Sequence, residues 1–146
     1  INKGYDINWF VLGEGQERIN LSSLIEKLNL SNSFYLLGSK ENPYPYMKMC
    51  DIYVQTSIFE GLGLTVIEAS YLNKPIVSTN FPTVFEIITD NKTGLIAEMT
   101  AESIALKIEK LLINKELGAT FSNNLAQQDN YDKEETLTRF YSLLNN

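Results

Sequence analysis

Glu60 and Glu68, eight positions apart, are the two side chains whose surroundings point most directly to chemistry. They bracket Gly61, Leu62, Gly63, Leu64, Thr65, Val66 and Ile67. Ahead of them, Asp51, Ile52, Tyr53, Val54, Gln55, Thr56 and Ser57 read as a strand with a mostly apolar start. Behind Gly63, residues 64–72 have helical spacing and carry no charge besides Glu68. The segment therefore reads as strand, glycine-containing loop and helix, with one carboxylate in the loop and one on the helix. A loop that opens a helix leaves backbone N–H groups unpaired at the positive end of the helix dipole, which suits a phosphate. A carboxylate on an apolar helix needs a partner, because an unpaired buried charge is costly. Sugar hydroxyls are one such partner.

The elements that position these residues follow from the rest of the chain. Residues 7–12 read as a strand that stops at Gly13, Glu14 and Gly15, and Leu21, Leu24, Ile25 and Leu28 then line one face of a helix. Residues 34–37 form a second strand closed by Gly38, and residues 39–45 form a loop with two prolines. A short helix over 46–50 leads to the strand at 52–55. The helix at 64–72 ends at Asn73, Lys74 and Pro75, a stop signal. Residues 75–78 are a short buried strand, 83–89 a short helix, 90–94 a turn and 94–97 the last strand. Thr100 caps a helix whose face is Ile104, Ile108, Leu111 and Leu112, and a final helix carries Leu137, Phe140, Tyr141 and Leu144. Short apolar strands alternating with helices predict an α/β fold, a Rossmann-like parallel sheet with helices on both faces. In such a sheet ligands bind beyond the carboxyl ends of the strands, where the loops containing Gly13, Tyr44, Glu60 and Asn80 all fall.

Composition narrows the chemistry. The 146 residues suggest one core, and the hydrophobic fraction of 44% with 21% charged residues is that of an ordinary globular chain. A net charge of −6 argues against a nucleic-acid partner. With no histidine, Ser-His catalysis and histidine metal ligation are excluded within this chain. The one cysteine, Cys50, permits no internal disulfide and reads as a packed thiol rather than a nucleophile. No apolar run is long enough for a membrane span.

Taken in order, these landmarks resemble a known family. The pair Glu60 and Glu68 with Gly61 and Gly63 between them, then Lys74, Pro75, Ile76 and Val77, then Glu86, then Thr93, Gly94, Leu95 and Ile96, resemble the C-terminal, donor-binding domain of retaining glycosyltransferases of family four. Those enzymes pair two Rossmann-like domains in the GT-B fold. The loop from Glu41 to Tyr46 resembles members that build surface polysaccharides. The resemblance implies that Glu68 binds the ribose hydroxyls of a nucleotide-sugar and that Glu60 lies at the transferred sugar as the catalytic residue. It implies that Gly61, Leu62, Gly63, Leu64 and Thr65 line the donor site, with the amides of Gly63, Leu64 and Thr65 on the diphosphate. Gly13 and Gly15 would line the cleft, and Tyr44 would flank the base.

Further expectations follow from the same resemblance. The chain is expected to be the nucleotide-sugar-binding half of the enzyme, without its first strand–helix unit and its acceptor domain, because the family's basic diphosphate-binding pair would precede Ile1. Lys3 falls in the connection after that unit and is not that lysine. The donor is expected to be a nucleoside diphosphate sugar and the acceptor a saccharide or a lipid-linked one. No required metal is expected, since no Asp-x-Asp motif occurs. The expected location is the cytoplasm or the inner membrane face, with peripheral membrane association. The chain departs from the pattern at Leu62, where phenylalanine is common, at Gln55, Thr56 and Ser57, where proline-serine often stands, and at Asn80 to Thr83, where glycines are usual.

Two other readings stay open on the residues alone. Gly13, Glu14, Gly15, Gln16, Glu17 and Arg18 follow a strand and open a helix as a dinucleotide fingerprint does, but Arg18 stands at the third glycine and the second strand ends in Gly38, Ser39 and Lys40 without the ribose-binding acid expected there. A nucleotide-binding module without catalysis would keep Glu68 and the glycine loop equally well.

Overall fold

The computed structural model describes residues 4–128. The expected final helix with Leu137, Phe140, Tyr141 and Leu144 lies outside the described residues, as does Lys3. The elements run β1 (Trp9–Leu12), α1 (Arg18–Lys27), β2 (Phe34–Gly38), α2 (Tyr44–Met49), β3 (Tyr53–Gln55), α3 (Leu64–Tyr71), β4 (Ile76–Thr79), α4 (Val84–Ile87), β5 (Leu95–Ala97), α5 (Ala101–Ile113) and α6 (Lys115–Gln127). Every strand pairing is parallel, as expected for strands joined through helices. The chain condenses into two compact units, Ile1–Pro45 and Tyr46–Asn146.

The first unit is a two-stranded parallel sheet, β1 with β2, and the helix α1. Cross-strand aromatic pairs hold the ladder: Trp9 stacks on Phe34 at 5.8 Å and Phe10 on Tyr35 at 5.2 Å. The helix forms where its apolar spacing predicts, but the face does not become core. Leu21, Leu24 and Leu28 are 38%, 47% and 55% exposed, and only Ile25 is half-buried. The periodicity specifies a helix with one apolar face, whereas two short strands supply too little surface to cover it.

The second unit holds the core. Its sheet has the order β3-β4-β5, with Val54, Val77 and Leu95 in register. Successive residues of a strand face opposite sides, and β4 shows this directly. Val77 packs with Leu95, Leu111 of α5 and Phe121 of α6. Ile76 packs on the other face with Val66 and Ala69 of α3, Val84 of α4 and Phe81. Helices thus cover both faces. All four residues of β4 are buried, as befits the central strand.

Helix ends follow local chemistry. Asn73 takes a left-handed φ of 54° just past α3, ahead of Pro75. Thr100 accepts the Ser103 N–H and caps α5. Asn114 does the same for α6 through Leu117 N–H and divides two helices that apolar spacing alone runs together. Among the described residues no helix is long and apolar enough to cross a membrane.

Candidate functional site

The site forms where β3 gives way to the loop before α3. Tyr53 and Gln55 share the α3 side of β3, since alternate residues point the same way, and the loop returns Glu60 to them. Gln55 Nε2 donates to Glu60 Oε1 at 2.7 Å and to Ser57 Oγ at 2.7 Å. Ser57 Oγ donates to the same Glu60 Oε1 at 2.6 Å. Among the described residues, the second carboxylate oxygen of Glu60, Oε2, accepts no protein hydrogen bond. Gln55 Oε1 accepts from the Tyr53 hydroxyl at 2.8 Å and from Thr65 Oγ1 at 3.3 Å. The Thr79 hydroxyl donates to the Ser57 carbonyl, and the Thr83 hydroxyl to the Glu60 carbonyl, which pins the loop to β4 and the start of α4.

Tyr53 reports on both acids. Burial pushes its phenol above the ordinary tyrosine range, the Thr65 hydroxyl opposes the shift, and the charges of Glu68 and then Glu60 add to it. The charges of two carboxylates eight residues apart thus both act on one phenol. Glu68 is half-buried and is the one charged residue of α3.

Gly63 sets the entry to α3. It is buried, sits at the N-cap with φ 60° and ψ 36°, and a Cβ there would lie 2.8 Å from Ile87 Cδ1 and 3.3 Å from Phe81. The left-handed backbone favours glycine, and a Cβ would have to displace the end of the Ile87 side chain. The Gly63 carbonyl accepts from Val66 and Ile67 N–H at 2.9 and 3.1 Å. Among the described residues the Leu64 and Thr65 N–H groups meet no protein acceptor, and both residues are exposed. Gly61 lies in open space. Around this opening Ile58, Phe59, Leu62 and Leu64 are 79%, 78%, 69% and 60% exposed.

The second unit thus brings together Glu60, Gly61, Leu62, Gly63, Leu64, Thr65 and Glu68. The other three expected residues, Gly13, Gly15 and Tyr44, belong to the first unit. There, Arg18 Nη1 pairs with Glu14 at 3.0 Å and Arg18 Nη2 donates to the Leu36 carbonyl at 3.2 Å. The guanidinium braces the Gly13–Gly15 turn against β2. Gly13 has φ 122°, Gly15 lies in open space, and Gly38 has φ 71° with the Glu14 carboxylate beside the place a Cβ would take. The Tyr44 N–H donates to Asn42 Oδ1 at 3.1 Å at the start of α2, and its side chain is 47% exposed. Cys50 donates to the Met47 carbonyl at 3.1 Å, and burial raises its pKa against the opposing Lys74 charge, so it stays a thiol at neutral pH.

Residues 1–128 match the family described as glycosyl transferases group 1. The chain belongs to this family. Among curated relatives, it is 30% identical over 151 residues to the poly(ribitol-phosphate) alpha-N-acetylglucosaminyltransferase of Staphylococcus aureus, covering 99% of this chain and 30% of that protein. It is 31% identical over 120 residues to a Campylobacter jejuni enzyme, N-acetylgalactosamine-N,N'-diacetylbacillosaminyl-diphospho-undecaprenol 4-alpha-N-acetylgalactosaminyltransferase, covering 81% of this chain and 33% of that one. The crystal structure of a Staphylococcus aureus TarM mutant with fondaparinux, alpha-GlcNAc-glycerol and UDP superposes with a TM-score of 0.85 at 28% identity, covering 99% of this chain and 30% of that one. The chain thus spans about a third of the length of these relatives. The family's members are glycosyltransferases, and the parallel α/β architecture is that of the GT-B enzymes.

The network around Glu60 escapes a reading of the residues one at a time. Gln55 and Tyr53 look like ordinary strand residues. Their signal is the alternation that puts both on the side to which Glu60 returns.

Proposed function

We propose that this chain carries the donor site of a retaining glycosyltransferase that moves a sugar from a nucleoside diphosphate to an acceptor hydroxyl. The observation that carries the reading is the pairing of Glu60 with the start of α3. Oε1 of Glu60 is held by two donors while Oε2 faces no protein partner, and the Leu64 and Thr65 amides stand unpaired beyond Gly63. In this reading Oε2 meets a hydroxyl of the transferred sugar, the two amides meet the diphosphate, and Glu68 binds the ribose. Charge grows on the departing diphosphate during transfer, and amides aimed at that charge stabilise it without reorganising. In this reading the leaving phosphate itself takes the proton of the acceptor hydroxyl.

UDP in the TarM complex makes uridine diphosphate the first nucleotide to test. The names of the relatives, a poly(ribitol-phosphate) transferase and an undecaprenol-diphosphate transferase, support a saccharide or lipid-linked acceptor in surface glycan synthesis. We place that acceptor, and the basic groups that share the diphosphate charge, on other parts of the complete protein. Membrane association would be peripheral, on the cytoplasmic side, and no metal would be required.

The test is calorimetry with UDP and a turnover assay over a panel of UDP-sugars, on the complete protein and on Glu60→Ala. The expected result is UDP binding in both, with transfer in Glu60→Ala reduced far more than its binding of UDP but still measurable. Equal losses of UDP binding and transfer in Glu60→Ala would make Glu60 a nucleotide ligand or a structural residue. Transfer is also expected to survive a chelator, and its loss on chelation with recovery on adding magnesium would contradict the metal-independent reading.

A further inference from the structure

We propose that Gln55 is a positioning residue that fixes the Glu60 carboxylate for the donor sugar and couples it to Thr65 at the mouth of α3. The proposal rests on the role of Glu60 argued above and adds a residue to it.

A parallel strand packed on both faces, even at the edge of its sheet as β3 is, is normally apolar. Gln55, half-buried at the end of β3, departs from that habit. A buried amide is tolerated when its donors and acceptor are satisfied, and here all are. Nε2 donates to Ser57 Oγ and Glu60 Oε1, each at 2.7 Å, and those two atoms are themselves bonded at 2.6 Å. Oε1 accepts the Tyr53 hydroxyl at 2.8 Å and the Thr65 hydroxyl at 3.3 Å.

The carboxylate decides which way the amide points. Turning it over would set Oε1 of Gln55 against Oε1 of Glu60, an acceptor facing an acceptor, and would leave Ser57 one proton for two acceptors. The hydrogen bonds therefore run in one direction, from the Tyr53 and Thr65 hydroxyls into the amide oxygen and from the amide nitrogen and Ser57 into Glu60 Oε1. Both donors fall on the same carboxylate oxygen, so the other one faces away from the network. Thr65 links this network to the phosphate end. Its hydroxyl lies 3.3 Å from Gln55 Oε1 and also acts on the Tyr53 phenol, while among the described residues its N–H meets no protein acceptor at the first turn of α3. A shift of Thr65 toward a bound diphosphate is thereby passed through one amide to the acid that meets the sugar.

The experiment is a double-mutant cycle on the complete protein with a UDP-sugar that the panel shows to be turned over. Gln55→Leu keeps the bulk and removes the amide. Its kcat is expected to fall about tenfold or more, the equivalent of one hydrogen bond to a charged group, with the Kd for UDP changed less than twofold. On the Glu60→Ala background the same substitution is expected to have no further effect on kcat, because the residue acts only through the carboxylate. Gln55→Glu is the second variant, close in shape, with a carboxylate oxygen in place of the donating nitrogen, and it too is expected to lose kcat while binding UDP. Full turnover in either folded variant would overturn the proposal while leaving the role of Glu60 intact. So would a loss of kcat that persists undiminished on the Glu60→Ala background, or one matched by loss of UDP affinity. Unchanged turnover in Glu60→Ala alone would remove the reading beneath it.

Discussion

The chemistry of this chain turns on how the protein treats the two oxygens of Glu60. One is tied by Gln55 and Ser57, and the other accepts from no donor among the described residues. Glu68 differs in kind, since it is a lone acid on an apolar helix and its charge is felt at Tyr53. If it binds ribose, Glu68→Gln weakens UDP binding by about 1.5–3 kcal/mol, the scale of a hydrogen bond to a charged group. Calorimetry on the complete protein checks this, and an unchanged affinity moves the ribose elsewhere. Tyr53 gives a pH prediction. Its pKa is raised in the folded state, chiefly by burial, so its contribution to stability is complete below the ordinary tyrosine range and is lost as pH rises toward the raised value. Tyr53→Phe should flatten the alkaline limb of the stability curve, measured by denaturant unfolding across pH. A limb unchanged by the substitution would mean that the phenol ionises freely. Both acids were legible in the sequence, because charge in an apolar context is conspicuous. Gln55 was not, because a glutamine at a strand end carries no such contrast until the loop folds back on it.

At the scale of elements, local signals held where the chain decides its own geometry. Thr100, Asn73 and Pro75 mark helix ends by capping, left-handed backbone and the proline ring. Thr100→Ala should cost about 1 kcal/mol of stability and leave UDP binding unchanged, which denaturant unfolding and calorimetry together would show. Gly63 is different. Sequence alone places its amide on the diphosphate and marks it as a binding position. The left-handed φ and the approach of Ile87 and Phe81 make it a folding position as well. Even Gly63→Ala should lower stability by roughly 1–3 kcal/mol through backbone strain, with the contact to Ile87 adding to it. A melting temperature equal to the wild type's would contradict that packing. The α5–α6 junction was unreadable from periodicity, since Asn114 ends one helix and caps the next without breaking the apolar pattern.

For the molecule as a whole, strand–helix alternation predicted the parallel α/β fold and the order of its elements. It did not predict two compact units, because periodicity records that a face is apolar and not what covers it. The exposed face of α1 and the buried one of α5 look alike as sequence. The same limit applies to Gly13, Gly15 and Tyr44, which share the strand-end position of the site residues but belong to the other unit. The central claim is that the donor nucleotide sits on the start of α3. A crystal structure of the complete protein with UDP tests it most directly. The account predicts diphosphate oxygens within hydrogen-bond distance, about 2.7–3.2 Å, of the Leu64 and Thr65 amide nitrogens, with a ribose hydroxyl on the Glu68 carboxylate. A diphosphate seated on the Gly13–Gly15 turn, with the α3 amides left without ligand, would contradict it.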